Sequence, residues 1–216
     1  DYYNRALEIS RRLDRKQNIA NCIVSLGRIE SRSRNYEKAV ELQEQALAIY
    51  QSIGFKVEVA NTLDNLAGNL MELGRFADAG RAVDEGVLLA REVGDEGTVF
   101  QTLLKKAWIQ YRKGEMKEAI ATAENARSSF ENTDGSDVDW ELYLTLAKIN
   151  RGMGRTSEAK ANLEKAVARI EDLRSKLMGG VEETQGAFGM ITAPYWESVD
   201  LFMSEGDFEA AFVASE

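Results

Sequence analysis

Apolar and polar positions along the chain fall into helix-length blocks separated by short polar stretches, and inside the blocks small residues recur every 40 positions. Aligning NYEKAVELQEQALAIYQSIG, RFADAGRAVDEGVLLAREVG, EMKEAIATAENARSSFENTDG and RTSEAKANLEKAVARIEDL brings Ala39, Ala79, Ala119 and Ala159 into one column. Seven residues later Ala46, Gly86, Ala126 and Ala166 form a second column, which Ala6 joins one period earlier. A third lies upstream and holds Gly27, Ala67, Ala107 and Ala147. Small residues seven apart share one face of a helix, and a face no taller than Cβ lets two helix axes approach closely. Each repeat is therefore predicted to be a helical hairpin. Gly74, Gly114, Gly154 and Gly206 mark its turn, just past an apolar helix end where a left-handed residue is best supplied by glycine. Arg34 stands alone in that column. Two residues on, Tyr36, Phe76, Met116 and Phe208 open the second helix with a large apolar side chain, a column that Thr156 interrupts.

These periods predict an all-α solenoid of stacked helical hairpins over residues 1–178: a half repeat at 1–13, then hairpins at about 17–53, 56–93, 97–131 and 137–177. The spacing from Ala159 to Ala211 is longer than one period, the excess falling around LMGGVEETQGAFGM. Residues 179–191 are accordingly expected to be an exposed Gly-rich loop, and 192–216 the start of a further, truncated hairpin.

Composition narrows the chemistry. Of 216 residues 44% are hydrophobic and 29% charged, with a single Pro, as in an ordered soluble helical protein. There is no His and one Cys, Cys22, so the chain lacks the parts for a His/Cys metal site, a Ser-His-Asp triad, a Cys-His dyad or an internal disulfide. No cofactor is expected and the chain reads as non-catalytic. A net charge of -9 argues against nucleic-acid or membrane partners. Cys22 lies beside Ile23 as a small core filler. The strings GMG and MGG lack the strand and the Lys-Ser/Thr ending of a phosphate cradle, and the acidic pairs Glu182/Glu183 and Asp137/Asp139 sit in polar connections, where they are expected to be solvated. The opening Asp1-Tyr2-Tyr3 and the ending inside a helical pattern lead us to expect a cytoplasmic fragment of a larger protein.

The segments SLGRIESRSRNYEKAVELQEQALAIY and NLAGNLMELGRFADAGRAVDEGVLLA resemble the tetratricopeptide repeat, with its Leu-Gly, its Gly-x-aromatic-x-x-Ala and a second Ala seven on. Two departures stand out: the period is 40 rather than 34, as in the variants of kinesin light chains and many bacterial regulators, and the Pro that often closes a repeat is missing. The last segment, APYWESVDLFMSEGDFEAAFVASE, resembles the repeat that precedes the caspase-like CHAT protease module in bacterial proteins with such arrays. That protease's His and Cys would lie beyond this chain.

The resemblance implies a right-handed superhelical solenoid with a concave groove lined at fixed offsets of each first helix. Applied here, the offsets select Asn21, Ser25, Arg28 and Arg32; Asn61, Asn65, Gly68 and Glu72; Gln101, Lys105, Trp108 and Arg112; and Glu141, Thr145, Lys148 and Gly152. Five are basic and two acidic. Arg28, Asn61, Asn65, Lys105, Trp108, Arg112 and Lys148 are the expected ligand-binding residues: cations for an acidic segment, Asn amides for its backbone, and Trp108 as an apolar anchor. The expected function is a protein- or peptide-binding scaffold with an acidic partner. A sensor domain for a small molecule or signalling peptide, and an intramolecular brace or oligomerisation element, are the alternatives. Apolar residues such as Leu7, Phe208 and Phe212 at the uncapped ends are expected to be exposed and to promote self-association.

Overall fold

The computed structural model describes residues 2–130, 140–178 and 200. Among the described residues the elements are helices: α1 (Tyr2–Arg12), α2 (Lys16–Arg32), α3 (Tyr36–Ile53), α4 (Lys56–Glu72), α5 (Phe76–Val93), α6 (Glu96–Arg112), α7 (Met116–Phe130), α8 (Trp140–Gly152) and α9 (Thr156–Met178). They belong to two compact units, Asp1–Lys113 and Gly114–Glu216. The expected loop at 179–191, the hairpin at 192–216 apart from residue 200, with its Gly206, Phe208 and Phe212, and the acidic pairs Asp137/Asp139 and Glu182/Glu183 lie outside the described residues.

In the first unit each helix packs on the next, and α4 also touches α6, so consecutive first helices are neighbours. In the second unit α7 packs on α8, and α8 on α9. The small-residue columns are what let the helices close. Ala39, Ala79, Ala119 and Ala159 are fully buried, as are Ala46, Ala126 and Ala166. A Cβ added at Gly86 would meet the Leu63 Cβ at 3.5 Å and the Thr102 Cγ2 at 3.6 Å, ordinary van der Waals contact with nothing to spare. Alanine fits there. We therefore expect Ala79→Leu to cost about 1–3 kcal/mol by overpacking, and Ala77→Leu, on the exposed side of the same helix, less than about 0.5 kcal/mol. Urea unfolding of the two variants checks this; equal costs would remove the packing role of the column.

The turns follow one scheme. Gly74 takes φ +71°, its N–H bonding to the Met71 carbonyl, while Arg75 N–H reaches back to the Leu70 carbonyl at 2.8 Å. This pairing closes the orphan carbonyls at a helix end. Arg34 adopts the same left-handed conformation, φ 61°, without glycine's freedom, and the following Asn35 N–H still bonds to the Glu30 carbonyl at 2.9 Å. The pull of the hairpin contacts on either side outweighs the local steric cost.

Leu7 is a correction. Expected at an exposed end, it is buried, because α1 lies on α2 and presents Leu7 to the cluster that includes Ile23 and Val40. The exposed large apolar side chains of α1 are Tyr2, Tyr3 and Ile9, with Leu13 just past its end. Cys22 is buried with the core, as a small filler should be.

Candidate functional site

Three helices that open successive repeats, α2, α4 and α6, together with α3, enclose a cleft of about 390 Å³ in the first unit. Arg28 and Arg32 line it from α2, Asp64, Asn65, Gly68, Asn69 and Glu72 from α4, and Lys105 from α6. Gln43 of α3 lines it too. The spacing on α4 explains the gathering: positions 65, 68, 69 and 72 recur at helical intervals of three and four, so they share a face.

Of the residues expected from sequence, the cleft brings together Arg28, Asn65 and Lys105. It does not include Asn61, Trp108 or Arg112. Asn61 is occupied: its Oδ1 and the Asp95 carboxylate each lie 2.8 Å from the Thr98 hydroxyl, which donates to one of them at a time. Its backbone carbonyl accepts the Asn65 side-chain N–H at 2.8 Å. Trp108 is half-buried and stacks on Tyr111, ring centroids 4.9 Å apart at 29°. The Arg112 guanidinium lies 4.9 Å above the Phe76 ring, a cation–π contact that ties α6 to the start of α5. Lys148 stands on α8, in the second unit.

Lys105 is the larger revision. It is no free cation: its Nζ donates to both carboxylate oxygens of Asp64, at 2.6 and 2.7 Å, and the Thr102 hydroxyl donates to the same carboxylate at 3.0 Å. Both partners are largely buried, with side chains 27% and 18% exposed. The cleft thus carries three basic residues against two acidic ones, Asp64 and Glu72, and is less positive than the sequence offsets implied. Arg28, Arg32 and Glu72 make no ion pair among the described residues.

Sequence reasoning missed Asp64, one position before the offset that selected Asn65. A lone carboxylate among Leu63, Leu66 and Ala67 demands a partner, and Lys105 stands one period plus one residue ahead of it. A second polar contact ties together the two helices of one hairpin, α2 and α3. The Tyr50 hydroxyl donates to Asn21 Oδ1 at 2.6 Å, and burial, with Glu58 and Cys22 adding to it, pushes the phenol above its ordinary range.

The architecture defines the chain as an all-α helical-repeat solenoid. Tetratricopeptide repeat models match residues 1–52 and 141–172. The chain carries tetratricopeptide repeats. None of the curated proteins matches the sequence. Among solved structures, BtubC (BKLC) from P. vanneervenii superimposes with a TM-score of 0.74 at 19% identity, over 99% of this chain and 85% of that one. A Rap protein complexed with Competence and Sporulation Factor gives a TM-score of 0.77 at 12% identity, over 92% of this chain and 52% of that one. TPR-like repeats of the kinesin light chain type from Podosopora anserina give 0.60 at 18% identity, over 94% of this chain and 91% of that one. These likenesses concern the fold.

Proposed function

We propose that the chain is a non-catalytic binding module whose first unit holds an acidic, extended segment of a protein partner in the cleft between α2, α4 and α6. One observation carries this reading: Arg28 and Arg32 flank the cleft one helical turn apart and make no ion pair among the described residues, whereas the third cation, Lys105, is neutralised by Asp64. A guanidinium fork is matched to a carboxylate, so two of them at one rim favour an acidic side chain there. Trp108, Asn61, Arg112 and Lys148 are not needed for this contact.

A second reading, a sensor whose cleft takes a small molecule or signalling peptide, draws on the cleft's volume, about 390 Å³, within the usual range of small-ligand pockets. Likeness to a Rap protein complexed with Competence and Sporulation Factor points the same way.

The test is charge reversal at the rim. Blocked peptides containing one Glu should bind more weakly as salt rises, and Arg28→Glu should lower their affinity about tenfold or more while the far-UV circular dichroism stays unchanged. Lys38, exposed on α3 and bonded to Glu41 at 2.7 Å, supplies the control: Lys38→Glu should leave binding as it was. Equal loss from both variants would mean that bulk charge, not the cleft, attracts the ligand. Salt-independent binding of a neutral small molecule would favour the sensor reading. Failure of any acidic peptide to bind would move an intramolecular brace ahead.

A further inference from the structure

The floor of the cleft is built from two buried amides where the sibling repeat uses hydrocarbon. Gln43 is 1% exposed and Asn69 3% exposed, and the Asn69 Nδ2 donates to Gln43 Oε1 at 2.8 Å and to the Asn65 carbonyl at 3.2 Å. Forty residues ahead of Gln43 stands Val83, and forty ahead of Asn69 stands Ile109; both are buried in the same hydrophobic cluster of the first unit. Ala123 and Leu163 continue the first column, and Ile149 the second, all buried. The apolar pattern is broken at one place in each column, and the two breaks meet in the cleft.

The orientation of the pair is fixed by chemistry. A backbone carbonyl can only accept, so the Asn69 atom beside the Asn65 carbonyl is the nitrogen, and what it meets on Gln43 is the oxygen. That leaves Gln43 Nε2, which donates no hydrogen bond among the described residues although the side chain is almost wholly buried and lines the cleft. Asn69 Oδ1 likewise accepts none among them. Replacing both partners of such a pair by apolar groups is nearly neutral or stabilising, and neither Gln43 Nε2 nor Asn69 Oδ1 is among the fully enclosed polar atoms that lack a partner, so both open on the cleft. Stability alone therefore favours the Val and Ile of the sibling repeat.

We propose that Gln43 and Asn69 form a subsite for a neutral carboxamide, the side chain of a Gln or Asn that follows an acidic residue in the bound segment. The ligand's carbonyl accepts from Gln43 Nε2 and its NH2 group donates toward Asn69 Oδ1, while the preceding carboxylate meets Arg28 and Arg32 at the rim. A carboxylate is the poorer occupant of the floor, because Asp64 and the Asn69 oxygen already present acceptors there and the Lys105 charge is spent on Asp64. A hydrocarbon leaves the Gln43 donors unmet.

This rests on the acidic-segment reading for the rim, and the experiment separates the two. Three blocked tetrapeptides, acetyl-Gly-Glu-Gln-Gly-amide and its counterparts with Leu or Glu in place of Gln, are titrated into the isotope-labelled 216-residue protein. We expect the Gln peptide to bind about tenfold more tightly than the other two and to move the Gln43 side-chain amide resonances. The double variant Gln43→Val/Asn69→Ile copies the sibling repeat, so it should fold at least as stably, lose the preference for Gln and keep the salt dependence. If the wild type binds the Leu or Glu peptide as tightly as the Gln peptide, or the Gln43 amide resonances stay still, the carboxamide subsite is wrong and the rim reading stands. If none of the three binds, both fall. Should the double variant fail to fold, the peptide ranking and the Gln43 resonances of the wild type decide alone.

Discussion

Phe100→Ala is expected to be the most damaging single change in the first unit, costing about 3–5 kcal/mol. Phe100 on α6 is fully buried and heads the large side chains with no exposure at all, flanked on its own helix by the equally buried Val99 and Thr102. Truncation removes the transfer free energy of a phenyl ring and leaves a cavity that the neighbouring helices, held by Gly/Ala contacts, cannot collapse to fill. A small domain is typically stable by about 5–15 kcal/mol, so the loss is a large share of the whole. Urea unfolding followed by circular dichroism should show a much earlier transition. Leu88→Ala, at a side chain 70% exposed, should shift it by less than about 0.5 kcal/mol. A Phe100 variant as stable as the Leu88 variant would mean that the α6 core is loosely packed.

The second large effect concerns Asp64 and Lys105. Lys105→Met strands a mostly buried carboxylate with only the Thr102 hydroxyl as partner, and we expect a cost of about 2–3 kcal/mol, less than for a fully dry pair because some solvent reaches both groups. Adding Asp64→Leu to that variant should recover most of the loss, since the uncompensated charge goes with it. A double-mutant cycle measures the coupling, expected at about 1–2 kcal/mol. If the two single changes simply add, the pair is not a unit and Lys105 is a cation open to ligands after all.

What the sequence made legible, and what it did not, divides along a physical line. Gly and Ala at fixed intervals state a steric requirement that each helix carries by itself, and the columns of Ala39 and Ala46 are buried as that requirement demands. Gly74 and Gly154 announce a left-handed turn in the same local way. Polar pairing is not local. Gln43 stands in VELQEQALAIY, where one more polar residue reads as surface, and only its partner 26 residues away shows that it is core. Asp64 pairs 41 residues ahead, so offsets tabulated along one helix pass it by and count Lys105 as available. Comparing each buried apolar column across repeats, and asking where a polar residue intrudes, would have exposed Gln43 and Asn69. Leu7 failed for a simpler reason: an end of the repeat pattern was equated with an end of the packing, whereas α1 covers it by lying on α2.

The cleft face of α4 has one further consequence, for how this stretch tolerates insertions and deletions. Asp64, Asn65, Gly68 and Glu72 point the same way only because they keep a common rotational phase on one helix. One residue inserted between Ala60 and Asp64 would turn all four by about 100° relative to the buried residues before them, taking the two carboxylates and the Asn65 amide off the cleft face. A residue added beside Gly54 or Gly94, in the connections between helices, leaves that phase alone. Length variation among relatives that keep this cleft is therefore expected to gather in the connections, with α4 itself unchanged in length, like a line of text that survives new spaces between words but not inside one.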